Sequence, residues 1–561
     1  MKKQIIGMLM LLALSSCNGA KGGSSAPNST YDGPITNLKF SDYSSQTDTD
    51  YNNELFYRND LTLDMGDPMV VYDQGYFYAF GTRGTDRFHC FRSKDLASWE
   101  RLDDAFIPQA GSWSTYNLWA PDIHKIGGKW YLYYTAAFDY NGTSSCQMGV
   151  AVSDNVYGPY IQCPGEDGTI ATPPFSLYQD DKSLYATILD PNVFVDDDGS
   201  LYMYFSYDMN KSRRQDYSGY NVAEIWGAKM TSPTSWDKST ITRLMSPGFA
   251  KLSDSERTIG WETWSPSFSG EMECQEGPYM IKRNGTYYLT YCANSYVDTV
   301  YNVGYGTSSS PLGEFVKPNS YELENMILGV PGAAGTYINT RYLGFQTGTG
   351  HASIVEVGDE LMLAYHAHQN RDEWGIDNNY NRALGLDYLY FDDDGHPYAN
   401  GPTWSINRLP NEVTGYRNLS LEEGVKVTGN GENLPNLIDN FTNRAIRTEE
   451  PNRESAFPDS GTVTVKLPEK KAIKFLLINN SYDFNLSLSY LDKVDFGQGR
   501  VVTDVLFNKN YYNYDQKWAF PHADFVIELQ DEVITDTITI TASKQGGFAL
   551  GEIEIYGKDA L

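Results

Sequence analysis

The chain has 561 residues, with 43 Lys and Arg against 72 Asp and Glu and a formal net charge of −29. That balance excludes a basic nucleic-acid-binding surface, because phosphate contacts need concentrated Lys and Arg. A hydrophobic content of 41%, with 43 Tyr and 11 Trp, excludes a disordered acidic chain and predicts a large folded body.

Residues 1–16 carry Lys2 and Lys3 and then an apolar run over 5–14, too short to span a bilayer and of the form of a secretory signal. Leu14-Ser15-Ser16-Cys17 resembles a bacterial lipobox. The resemblance implies that Cys17 is the lipid-modified mature N-terminus of a protein anchored at the bacterial cell envelope, periplasmic or cell-surface. Residues 17–54, Gly- and Ser-rich over 18–29, then read as a flexible tether. Beyond Cys17 stand Cys90, Cys146, Cys163, Cys274 and Cys292, an odd number without metal-like spacing. At least one thiol stays unpaired within the chain; one bridge is compatible with an oxidising compartment, and its connectivity is open.

From residue 55 the helical period is almost absent, and short aromatic runs recur after Gly or Asn-Gly turn chemistry. They are Gly75-Tyr-Phe-Tyr-Ala-Phe80, Gly127-Gly-Lys-Trp-Tyr-Leu-Tyr-Tyr134, Gly199-Ser-Leu-Tyr-Met-Tyr-Phe205, Asn284-Gly-Thr-Tyr-Tyr-Leu-Thr-Tyr291 and Gly358-Asp-Glu-Leu-Met-Leu-Ala-Tyr365. The turn glycines 75, 128, 199, 285 and 358 are separated by 53, 71, 86 and 73 residues. A sandwich accounts for strands but not for this period. The reading is an all-β chain with a five-bladed β-propeller over 55–415 and long insertions at 206–262 and 316–346. Asp196-Asp-Asp198 and Asp392-Asp-Asp394 precede Gly and an aromatic strand, so they read as hairpin turns rather than calcium loops.

Upstream of each turn, on the strand that enters it, stand Asp67, Asp122, Asp190, Glu276 and His351. Strands that line a propeller axis bring such positions into one pocket, where like charges repel and shift each other's proton affinity. Glycosidic bond hydrolysis uses that arrangement: one carboxyl group stays protonated to donate to the leaving oxygen, and a second, ionised, activates water or attacks C1.

The motifs Gly66-Asp67-Pro68, Trp119-Ala-Pro-Asp122, Leu189-Asp190-Pro191, Glu276-Gly-Pro278 and Gly348-Thr-Gly-His351-Ala-Ser353, in this order and in register with five hairpins, resemble glycoside hydrolase family 43 over roughly residues 60–407. The resemblance implies an inverting enzyme with Asp67 as general base, Glu276 as general acid and Asp190 tuning the acid. It implies arabinose- or xylose-containing plant polysaccharides or oligosaccharides as substrate, no organic cofactor and a monomer. It also implies a substrate contact for Arg382, and a water-coordinated calcium ion beside His351 in the central channel; a histidine satisfied by hydrogen bonds without metal is the alternative. Asp122 reads as structural. Trp119 and Trp264 are candidate sugar platforms, with core packing as the other reading. Two other functions are compatible with parts of the pattern. One is a non-catalytic surface glycan-binding lipoprotein, which predicts loss of one of the three carboxylates. The other is a retaining, fructan-active enzyme of the related family 32, to which Glu273-Cys274 bears a faint likeness.

From residue 424 the repeat stops and strands such as Val463-Thr-Val-Lys-Leu467 and Phe475-Leu-Leu-Ile-Asn479 predict a second all-β domain over 424–561. Asn436-Leu-Ile-Asp-Asn440 and the closing segment 547–557 resemble discoidin-like (factor 5/8 C-type) β-sandwich modules. That likeness implies an accessory, carbohydrate-binding role.

Overall fold

A computed structural model describes residues 34–36 and 54–560, apart from 60–62, 85, 141–142, 178–186, 210–220, 248–259, 264–271, 299, 319–324, 330–345, 370–381, 404–405, 442–453, 481–489, 504–505 and 508–524. The signal segment, Cys17 and Trp264 lie outside the described residues. The fold is all-β; among the described residues the α-helix is a single turn, Asn411–Thr414.

All five expected hairpins form. Their strands are Gly66–Asp73 with Tyr76–Thr82, Trp119–Ile126 with Lys129–Tyr140, Thr187–Val195 with Leu201–Met209, Met272–Arg283 with Thr286–Ala293, and Gln346–Val357 with Glu360–Gln369. Aromatic and β-branched residues favour the pleated ladder. The turn residues supply the left-handed backbone that a tight hairpin needs, with φ of 50° and 81° at Gln74 and Gly75 and of 50° and 80° at Asn284 and Gly285.

Outer strands extend each hairpin into a meander. In the first, Phe91–Ser93 and Ser98–Arg101 are followed at the edge by Pro34–Thr36. Residues 34–36 fall within the segment expected as a tether and are instead a strand of the folded body. The third and fourth meanders are one sheet rather than two, because Asn221–Ser232 runs parallel to Met272–Arg283 through the pairs Asn221↔Met272, Val222↔Glu273 and Ala223↔Cys274.

The first strands of the five hairpins are the inner strands. Gly66–Asp73 packs against Trp119–Ile126, that strand against Thr187–Val195, then Met272–Arg283, then Gln346–Val357, which returns to Gly66–Asp73. Apolar layers fill the spaces between successive units, such as Val70, Phe77 and Ala79 against Met362 and Leu384, and Tyr133 and Val150 against Ile188 and Phe205. Phe56–Arg58 pairs with Ile406–Arg408, so both ends of this region meet at the last unit.

Residues 417–559 form a further nine-stranded sheet around its own core of Val465, Ile473, Leu476, Ile538 and Ile553. The expected sandwich is here a single curled sheet. Its two long strands, Ser460–Asn480 and Phe525–Ser543, lose register between Lys466 and Lys471 and again between Ile473 and Phe475, and such bulges let a continuous ladder bend.

Pairing in each inner strand is interrupted, between Gly66 and Met69, Trp119 and Asp122, Leu189 and Asn192, Glu276 and Tyr279, and Gly350 and Ser353, and in the fifth strand also between Thr347 and Gly350. The residue in each gap is left-handed: Asp67, Ala120, Asp190, Gly277 and His351, with φ of 49°, 45°, 55°, 58° and 49°. In four of the five a proline follows, which removes a ladder donor where the pairing breaks. The equivalence read from spacing is corrected accordingly. Ala120, not Asp122, is the counterpart of Asp67, and Glu276 stands one residue before its counterpart Gly277. Asp122 accepts hydrogen bonds from Asn192 Nδ2 at 3.1 Å and the Val193 N–H at 2.9 Å, tying the second inner strand to the third.

Candidate active site

A cyclic hydrogen-bond pattern holds the five left-handed residues. The Ala120 N–H donates to Thr82 Oγ1 at 2.9 Å, the Asp190 N–H to Thr135 Oγ1 at 2.8 Å, the His351 N–H to Cys292 Sγ at 2.7 Å and the Asp67 N–H to His366 Nδ1 at 3.2 Å. In the remaining unit the Gly277 N–H and the Ser206 hydroxyl both donate to Asp190 Oδ2, at 3.2 and 3.1 Å. Each acceptor lies on the preceding unit's second strand or is held by it, and the bond from Asp67 to His366 closes the cycle. Because His366 Nδ1 accepts, its ring proton is on Nε2; burial pushes the imidazole well below its usual range and keeps it neutral.

Asp67 Oδ1 receives Arg382 Nη1 at 2.6 Å and stands 3.3 Å from His351 Nδ1. Burial pushes this carboxyl up, but the Arg382 charge, His351 and hydrogen bonds from Thr82 and Arg382 together outweigh it and leave it below the usual carboxylate range. Arg382 lies over the Tyr296 ring, 4.9 Å from its centroid. Asp67 is therefore ionised and oriented.

Glu276 is displaced the other way. Its carboxyl is pushed up to about 7, by burial first and by the negative charge of Asp67, against the downward pull of hydrogen bonds from Tyr301 and Cys274. Tyr301 OH donates to Glu276 Oε1 at 2.8 Å. The Tyr301 ring stacks on His366 with a 9° interplanar angle, and Gly350 leaves it room, since a Cβ there would sit 2.3 Å from Tyr301 Cδ1. Asp190 is pushed well above the usual range by burial and by the charges of Glu276 and Asp67. Two carboxyl groups whose surroundings move their proton affinities apart can act as acid and base on one substrate.

The structure thus brings Asp67, Asp190, Glu276, His351 and Arg382 together. Trp119 precedes left-handed Ala120 and is buried with it and Cys146; its indole N–H has no hydrogen-bond partner among the described residues. The calcium ion expected beside His351 is water-coordinated and does not call for a full set of protein oxygen donors. Calcium takes about six to eight oxygen ligands, and the carboxylate nearest His351 is already bound by the Arg382 guanidinium. Among the described residues no group of three or more His, Cys, Asp or Glu side chains is placed to hold a metal. All five described cysteines are buried and unbridged.

Sequence reasoning missed Thr82, Thr135, Ser206, Cys292 and His366. A signal existed: the first four each stand seven residues after their turn glycine, and His366 stands eight after Gly358. Tyr301 and Cys274, the hydrogen-bond donors to Glu276, carry no such mark.

A family model described as glycosyl hydrolases family 43 matches residues 60–397, more than half of the chain. The extracellular endo-α-(1→5)-L-arabinanase 2 of Bacillus subtilis (strain 168) is 28% identical over 328 residues, 53% of this chain and 56% of that protein. Xylosidase/arabinosidase 43A of Humicola insolens is 30% identical over 304 residues, 52% of this chain and 77% of that protein. The chain spans about half the length of the Bacillus arabinanase and of the Thermotoga petrophila extracellular endo-α-(1→5)-L-arabinanase, of which it covers 52%. The crystal structure of a thermostable family-43 glycoside hydrolase is similar at 26% identity and a TM-score of 0.49, covering 62% of this chain and 97% of that one.

Proposed function

The chain belongs to glycosyl hydrolase family 43, and from that premise we propose that it is an inverting glycosidase acting on arabinose- or xylose-containing plant polysaccharides or oligosaccharides. In this reading Asp67 is the general base, Glu276 the general acid and Asp190 the group that tunes and orients the acid. The five units are the blades of a propeller whose inner strands surround the substrate pocket. The observation that carries the reading is the opposite displacement of Asp67 and Glu276, the one held below its usual range and the other pushed up to about 7.

The steps follow from those states. Ionised Asp67, fixed by Arg382, takes a proton from a water as its oxygen bonds to C1. Glu276 delivers its proton to the glycosidic oxygen as the bond from C1 to that oxygen breaks, and the electron pair leaves with the departing sugar. The new Glu276 carboxylate keeps the Tyr301 hydrogen bond, and its burial favours reprotonation. The anomeric configuration inverts in a single displacement. Arabinanase and arabinosidase relatives support the substrate class, extracellular relatives support export, and the lipid anchor rests on the lipobox-like Leu14-Ser15-Ser16-Cys17. No helix among the described residues is long and apolar enough to cross a membrane. The C-terminal domain is read as an accessory, carbohydrate-binding-like module packed on the catalytic region.

The test is product release from arabinan, arabinoxylan, xylan and galactan and from matching aryl glycosides, wild type against Glu276→Gln, with the product anomer read by NMR. Activity on one substrate class that disappears in Glu276→Gln, with an inverted first product, is expected. A retained anomer would move the chain to a double-displacement mechanism, and silence on every substrate would favour a glycan-binding protein.

A further inference from the structure

Asp208 is a fourth carboxyl group at the site, and it stands on the acid's side. It belongs to Leu201–Met209, where its ladder partners are Thr187 and Ala223, and Ala223 pairs in turn with Cys274. The row Thr187, Asp208, Ala223, Cys274 crosses four strands, and residues directly opposite in a ladder share a face. Two residues along each strand return to that face. From Asp208 this leads to Ser206, whose hydroxyl holds Asp190, and from Cys274 to Glu276, with which the Cys274 thiol shares a hydrogen bond. Asp208 is therefore beside the acid and further toward the start of the inner strands.

Its surroundings give the direction. Burial and then the charge of Glu276 push the Asp208 carboxyl up to about 7, and neither a hydrogen bond nor the charge of Asp67 is among the influences on it. Asp67 does act on both Glu276 and Asp190. In the ladder Asp208 stands one strand outward from the inner strand that carries Asp190, in the row that leads through Cys274 to Glu276. In a single displacement the water arrives from the base's side and the leaving sugar departs on the acid's side. A half-buried carboxyl group without a hydrogen-bond partner among the described residues is costly unless hydroxyl groups of a ligand bond to it.

We propose that Asp208 is a substrate-binding residue that hydrogen-bonds a hydroxyl of the leaving-group sugar. The inference rests on the assignment of Asp67 as base and Glu276 as acid, and it makes the enzyme selective for a sugar rather than any leaving group.

The experiment compares arabinotriose with 4-nitrophenyl α-L-arabinofuranoside, and xylobiose with 4-nitrophenyl β-D-xyloside, in wild type, Asp208→Ala, Asp208→Asn and Glu276→Gln. Nitrophenol carries no sugar hydroxyls, so kcat/KM on the oligosaccharide is expected to fall at least tenfold further than on its aryl partner in Asp208→Ala. In the isosteric Asp208→Asn, which guards against misfolding, the difference is expected to be threefold or more in the same direction. Equal losses on both members of a pair, or an oligosaccharide loss under threefold in both variants, would overturn the inference. Glu276→Gln with wild-type oligosaccharide turnover, or a wild type that cleaves neither pair, would overturn the underlying assignment, and the inference with it.

Discussion

The guanidinium of Arg382, with Nη1 2.6 Å from Asp67 Oδ1, occupies the space above Gly66: a Cβ built there would stand 2.1 Å from Arg382 Cζ. The glycine that precedes Asp67 is therefore the seat of the cation that orients it. In Gly66→Ala the arginine moves away, the opposing effect of burial takes over, and the Asp67 carboxyl rises. The acid limb of the kcat/KM profile is expected to shift to higher pH and kcat/KM to fall about tenfold or more. An unchanged acid limb would separate Arg382 from the state of Asp67.

Asp67→Asn keeps the shape and the left-handed backbone, which Asn tolerates, but removes the proton acceptor. Turnover is expected to fall by about two to four orders of magnitude with KM within about threefold. A near-wild-type rate on oligosaccharide would remove Asp67 from the mechanism.

In the proposed mechanism the alkaline limb belongs to Glu276, which acts as the protonated acid and whose carboxyl is pushed up to about 7. Activity should therefore be full below that pH and fall as pH rises through it. Tyr301 opposes the shift, because its hydrogen bond favours the charged form. Tyr301→Phe is expected to move the alkaline limb to higher pH, and a limb that moved down would reverse the role given to that hydroxyl.

The same displacement is a statement about stability. The folded state holds the Glu276 proton more tightly than the unfolded chain, whose carboxyl has the ordinary value of 4.5. Its favourable contribution is complete below that value and is lost as pH rises to about 7. Glu276→Gln is therefore expected to gain Tm relative to wild type at pH 8 more than at pH 4, measured by calorimetry. Equal differences at the two pH values would contradict the raised proton affinity.

The C-terminal domain shares a buried contact with the catalytic region. Leu55, Phe56 and Ile406 pack against Phe475, Leu477, Val526 and Tyr556. Arg408 Nε donates to Tyr556 OH at 2.7 Å while Arg408 Nη2 meets Glu360 at 2.6 Å. Removing residues 424–561 strips that apolar patch and leaves Arg408 half-satisfied, so the shortened protein is expected to be insoluble or to melt well below wild type. Tyr556→Phe, which deletes one buried partner, should cost about 1–3 kcal/mol in denaturant unfolding. A soluble truncation with wild-type Tm would make the domain a mere appendage.

Local chemistry makes much of this protein legible in its residues alone. Turn glycines followed by alternating aromatics specify five hairpins, because the two-residue period and left-handed turn positions are properties of short segments. The order of the motifs around Asp67, Asp190 and Glu276 points to one pocket. Spacing fails at Asp122, which lies two residues past its strand's bulge, and bulges depend on how neighbouring strands pair. It also fails for the third and fourth units, joined through Ala223 and Cys274, and for Pro34–Thr36, whose place is set by an edge at Ser98–Arg101. What only the tertiary structure decided is the difference in proton affinity between chemically similar carboxyl groups. Asp67 and Arg382 are 315 residues apart in sequence, Glu276 and Tyr301 are 25 apart, and Asp208 reaches Glu276 through two intervening ladders. A carboxyl group's proton affinity follows from burial and from charges within a few ångströms, and no spacing along the chain contains those distances.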